Sequence, residues 1–84
     1  MDKKKYRPKY TKPLTQREID ILCMLCLPNI DIAYRTYKTP ASVKQIRNII
    51  FKKLGVHSRS EALITAIRQG VIDLWDIVLP TDVF

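Results

Sequence analysis

Cysteine, histidine, glycine and long apolar runs are all scarce in this 84-residue sequence, and each scarcity excludes a class of protein. Two cysteines and one histidine are too few for a disulfide framework or a protein-built zinc site. No apolar run approaches the ~20 residues that span a bilayer. No hydrophobic segment follows the basic N-terminus, so export is not expected. There is no metal-ligand cluster, no glycine loop to cradle a phosphate and no nucleophile–base pair, so neither catalysis nor a metal or cofactor is expected. A chain this short, 46% hydrophobic, buries one modest core. A large enzyme, a receptor and a secreted cystine scaffold are ruled out.

Acid is the other scarcity, and it is local. Residues 1–17 carry seven bases (Lys3, Lys4, Lys5, Arg7, Lys9, Lys12, Arg17) against Asp2 alone, and residues 18–31 carry only the acids Glu18, Asp20 and Asp31. Residues 32–60 hold Arg35, Lys38, Lys44, Arg47, Lys52, Lys53 and Arg59 without one acid, while residues 61–84 set Arg68 against Glu61, Asp73, Asp76 and Asp82. The formal net charge is +7. Alternating basic and acidic zones are the pattern of a chain with one polyanion-binding face.

The elements follow from local signals. Residues 1–13, with Pro8, Pro13 and many lysines, show no hydrophobic period and read as a flexible basic arm. Thr15 and Glu18 form a capping box that opens a first helix, with Leu14 and Ile19 as its staple and Ile19, Leu22, Cys23 and Cys26 at helical spacing. Pro28 limits it. A short second helix covers Asn29 to Arg35, with Ile32 and Ala33 inward, and Thr36–Lys38 is a turn. Thr39-Pro40 starts a third helix that runs to about Leu54 and stops at Gly55. Ser58 and Glu61 make a second capping box, opening a fourth helix through Ile72. The tail, 73–84, could extend that helix. With no strand alternation, the expectation is an all-α, four-helix domain over residues 14–72 containing a helix-turn-helix.

At about 100° per residue, Val43, Ile46, Ile50 and Leu54 form the buried stripe of the third helix, and Ala41, Lys44, Gln45, Asn48 and Lys52 form the opposite face. Lysine donates to guanine O6 and N7, and glutamine or asparagine bonds adenine N6 and N7. Arg47, Lys52 and Lys53 are suited to neutralising phosphates, and the helix start at Thr39–Ser42 adds amide donors.

Leu14-Thr15-Gln16-Arg17-Glu18-Ile19-Asp20-Ile21-Leu22 resembles the opening helix of LuxR-type (GerE-like) DNA-binding domains. Ile32-Ala33 fits the helix before the turn. The run from Val43-Lys44-Gln45-Ile46-Arg47-Asn48 to Lys53-Leu54-Gly55-Val56 resembles the recognition helix and its exit. Ser58-Arg59-Ser60-Glu61-Ala62 and Ala66-Ile67-Arg68-Gln69-Gly70-Val71-Ile72 fit the last helix. The resemblance runs ungapped over residues 14–72.

It implies a transcription regulator whose third helix enters the major groove of double-stranded DNA. Base contacts fall on Lys44, Gln45 and Asn48, and backbone contacts around Thr39, Ser42, Arg47 and Lys52. It also implies a homodimer through the last helix, 60–72, where Ile64 and Ile67 are the candidate contacts, on two half-sites. The host is then a bacterium or phage, and the location cytoplasmic, at the nucleoid. Only a 13-residue arm precedes the matching region, so a stand-alone module without a built-in sensor is expected, controlled by abundance or by a partner. Tyr37 and Lys38 replace a turn glycine and a branched residue. Tyrosine is strained at positive φ, so a differently built turn is expected.

Other features have plainer readings. Cys23 and Cys26 read as reduced thiols packed in the core, and His57 as a loop or capping residue. Trp75, with Leu74, Ile77 and Val78, either closes the monomer core or forms a dimer or partner patch. Lys3–Lys12 could follow phosphates or enter a minor groove. Two other functions fit the sequence. One is a helix-turn-helix adaptor that binds RNA polymerase, a sigma factor or another regulator through the Trp75 tail. The other is a non-specific nucleic-acid binder. A membrane-surface role is disfavoured because the arm lacks an apolar face.

Overall fold

The computed structural model describes residues 13–83, so the basic arm, apart from Pro13, lies outside the described residues. Four α-helices form the domain: α1 (Gln16–Cys23), α2 (Asn29–Thr36), α3 (Pro40–Leu54) and α4 (Arg59–Arg68). No strand occurs among the described residues. The fold is all-α with a helix-turn-helix, as the sequence predicts.

Capping sets the helix starts. Glu18 N–H donates to Thr15 Oγ1 (3.2 Å) and Thr15 N–H to Glu18 Oε1 (2.9 Å), a complete capping box. Thr39 Oγ1 accepts from Ser42 N–H at 3.2 Å, with Pro40 in the first turn of α3. The second box is only half made. Ser58 Oγ accepts from Glu61 N–H, but Glu61 Oε1 reaches past Ser58 N–H to His57 N–H at 3.3 Å.

Three of the four helices end in the same way. After α2, α3 and α4 the chain takes one left-handed residue, Tyr37 (φ 56), Gly55 (φ 70) and Gly70 (φ 73). The next amide then bonds back five residues: Lys38 to Ala33 O (2.9 Å), Val56 to Phe51 O (3.0 Å) and Val71 to Ala66 O (2.9 Å). These are Schellman endings. Three sequence expectations give way to these endings. The turn after α2 has the ordinary left-handed geometry, with tyrosine bearing the strain, so it is not built differently. Gly70 does more than weaken the fourth helix; it terminates it, and α4 stops at Arg68 instead of Ile72. The tail is no extension of α4. It turns back through two 3-10 segments, Leu74–Asp76 and Pro80–Val83, and Val78 N–H donates to Cys23 O at the end of α1 (2.8 Å).

The core joins Ile21, Leu22, Leu25 and Leu27 with Ile32, Val43, Ile50, Leu54, Leu63 and Ile72. α3 packs against each of the other helices. Val43, Ile50 and Leu54 are buried, whereas Ile46 is only half-buried at the stripe's edge. Cys26 is exposed and lies beyond the end of α1, so it is not packed in the core. Cys23 is half-buried, and burial, followed by Asp76 and Asp20, pushes its thiol up. Among the described residues no group of His, Cys, Asp and Glu could hold a metal ion.

Candidate nucleic-acid interface

Burial of Val43, Ile50 and Leu54 fixes the rotation of α3 and therefore what its far side presents. Lys44, Gln45, Asn48 and Lys52 are all exposed, along with the small Ala41. None of those four polar side chains has a partner among the described residues. Ile49, 44% exposed, sits on the edge of the same face. Little in the sequence singles it out, because it stands in the apolar run Ile49-Ile50-Phe51, whose other members pack against the core. Asn48 and Lys52 also line a shallow cleft of about 540 Å³ that ends at His57, an exposed loop residue.

Thr39 is exposed at the start of α3, where its hydroxyl also bonds Ser42 Oγ at 3.1 Å. Ser42 and Arg47 are half-buried. Arg47 carries its guanidinium 5.7 Å from the Phe51 ring centroid, a cation–π contact, and its buried Nε has no hydrogen-bond partner.

Two cations of the basic zone have other work. Lys53, expected to neutralise a phosphate, donates instead to Glu18 Oε1 at 2.7 Å and to Pro13 O at 3.3 Å, tying α3 to the start of α1. Burial acts to raise the Glu18 carboxyl, but the bonds from Lys53 and Thr15 outweigh it and hold it below its ordinary value. Arg59 Nη1 donates to Leu25 O (3.1 Å) and Leu27 O (2.6 Å), and its Nη2 to Asn29 Oδ1. It thereby pins the α1–α2 loop and the start of α2, which lacks a side-chain cap of its own. Burial, then the neighbouring Arg47 charge, lowers the Arg59 pKa. Both residues were legible as cations, but partners more than thirty positions away are not a local signal.

The candidate contacts outside α3 divide. Ile64 is 55% exposed on α4, while Ile67 is half-buried against the monomer core. Trp75 is 93% exposed, so it does not close the core; Ile77 and Val78 are the tail residues that pack inward.

Residues 12–66 match the family of bacterial regulatory proteins, luxR family (GerE). The chain belongs to this family. It is 39% identical over 67 residues to the transcriptional regulatory protein LnrK of Bacillus subtilis (strain 168), covering 77% of this chain and 30% of that protein. It is 32% identical over 63 residues to the uncharacterized transcriptional regulatory protein YxjL of the same organism, covering 73% of this chain and 29% of that one. The chain thus spans about 30% of the length of these luxR-family relatives. No solved structure matches it. Among the described residues, no helix is long and apolar enough to cross a membrane.

Proposed function

We propose that this protein is a sequence-specific, double-stranded DNA-binding transcription regulator that places α3 in the major groove. One observation carries the reading: Lys44, Gln45, Asn48 and Lys52 are exposed on one face of a helix whose opposite face is locked in the core. That face lies inside the 29-residue stretch, 32–60, that contains no acid.

Lys44, Gln45 and Asn48 contact base edges, and Ile49 and Ala41 offer apolar contact to thymine methyls. Thr39, Ser42, Arg47 and Lys52 contact the backbone, and residues 1–13 add phosphate contacts. Arg47, whose guanidinium lies over the Phe51 ring, presents its remaining N–H donors to a phosphate. Two copies pair through α4, with exposed Ile64 at the centre and Ile67 at its edge, and bind two half-sites of duplex DNA at the nucleoid.

Substitution separates base contacts from backbone contacts. Asn48→Ala should relax preference at one base position and cost about 1–3 kcal/mol on the preferred sequence. Lys52→Ala should weaken every sequence alike and flatten the dependence of log K on log salt by about 1. Identical selectivity profiles for the two variants would remove the division of roles. Ile64→Asp should remove the cooperativity with which two half-sites on one duplex are filled; unchanged cooperativity would place the α4 pairing elsewhere.

A further inference from the structure

Among the described residues, two exposed apolar patches lie apart from the α3 face and from Ile64 on α4, and the charges beside them are predominantly of opposite sign. The first runs along the outer face of α2 and into the turn: Ile30 is 67% exposed, Tyr34 86% and Tyr37 98%. Ile30 and Tyr34, at i and i+4, share one face of α2, and Tyr37 in the turn lines the same cleft as Tyr34. Arg35 and Lys38 line that cleft of about 400 Å³ with the two tyrosines, and they outnumber the one acid of this helix, exposed Asp31 beside Ile30. The second patch is the tail, where Leu74 (65%), Trp75 (93%) and Leu79 (47%) stand exposed beside Asp73, Asp76 and Asp82.

The two patches are neighbours. An open groove of about 750 Å³ is lined both by Arg35 and Lys38, from beside the first patch, and by Asp76 and Val78 of the tail, with Arg17 and Asp20 of α1 also on it. Tyr37 adds a second sign of use. It occupies a left-handed position where the other two helix endings have glycine, yet at 98% exposure its ring adds nothing to the core. Strain kept without a packing gain marks a functional position.

We infer that a second copy of this chain covers both patches at once, the acidic Trp75 tail of each copy docking on the basic Ile30–Tyr34–Tyr37 face of the other. Complementary patches side by side on one protomer are self-complementary about a two-fold axis, so the contact is reciprocal and closed. Three aromatic side chains at roughly 150–250 Å² each supply about 500 Å² per protomer. With the flanking Ile30, Leu74 and Leu79 this approaches the ~800 Å² per partner of a stable interface. The contact is separate from pairing through α4, and the two together would chain copies side by side along DNA.

The test is sedimentation velocity on the full chain without DNA, in an Ile64→Asp background that removes pairing through α4. This variant is expected to dimerise still, and adding Trp75→Ala is expected to weaken that dimer by at least about tenfold. Since Trp75 is almost wholly exposed, the substitution leaves the fold intact. Reversing one patch with Arg35→Glu and Lys38→Glu, or the other with Asp73→Lys and Asp82→Lys, should abolish pairing in each case. Mixing the two reversed proteins should restore it, which a misfolded variant cannot do. Monomer throughout in the Ile64→Asp background would overturn the inference and hand both patches to a different protein. A dimer indifferent to Trp75→Ala, or reversed variants that fail to pair when mixed, would overturn it equally.

Discussion

At the scale of single residues, Tyr37, Glu18 and Lys53 show where side-chain chemistry and backbone geometry meet. Tyr37 is held at φ 56 by the bond from Lys38 N–H to Ala33 O, a conformation that costs an L-residue about 1–2 kcal/mol. Glycine there removes the strain but costs about 0.5–1 kcal/mol more in chain entropy. Tyr37→Gly should therefore stabilise the domain by up to about 1 kcal/mol in urea unfolding; a loss of that size would mean the ring is packed. Glu18→Gln should cost about 1–2 kcal/mol, since it strips a charge-assisted bond from half-buried Lys53. The folded Glu18 carboxyl lies below its ordinary value of 4.5, so its stabilisation is complete above that pH. It fades as the pH falls from there through the lowered folded value. Glu18→Gln should flatten that acid limb, and an unchanged limb in the variant would assign it to other carboxylates.

At the scale of elements, starts were more legible than ends. Thr15, Thr39 and Ser58 each signal a helix start within four residues of sequence, and each caps a helix in the structure. Ends depend on which residue takes the left-handed position. Gly55 was readable as a stop, while Gly70 looked like a weak point inside a longer helix and Tyr37 had no glycine to announce it. Gly70→Ala should cost about 1 kcal/mol through positive φ alone, because nothing lies within 4 Å of the added methyl. A neutral result would mean the ending relaxes freely. Thr39→Ala should lose about 1 kcal/mol of capping and weaken DNA binding as well, since the same residue is a proposed backbone contact. The face of α3 was legible because the 3.6-residue period alone sets it. Cys26 was misplaced for the complementary reason. The spacing that places it on the face of α1 continues past Cys23, where the helix has already ended.

At the scale of the whole molecule, charge counting found the basic zone but not how its members are used. Lys53 and Arg59 are committed to Glu18 and to the carbonyls of the α1–α2 loop, so they hold the helices that aim α3. Lys44 and Lys52 remain free for a partner, and half-buried Arg47 keeps an unsatisfied Nε. These uses rest on contacts between distant parts of the chain, which no local pattern carries. Five of the eight acids lie on α1 and the tail and none on α3, which leaves the α3 face positive, the sign that the proposed contact with duplex DNA requires.

Base reading by α3 is tested most directly by selecting random duplexes on the full chain near physiological salt and sequencing those retained. A short enriched motif, repeated in inverted orientation, is the predicted result, with its positions altered by Asn48→Ala and unaltered by Lys52→Ala. Binding that collapses with added salt but enriches no motif would contradict it, leaving Lys44, Gln45 and Asn48 without a role in reading sequence.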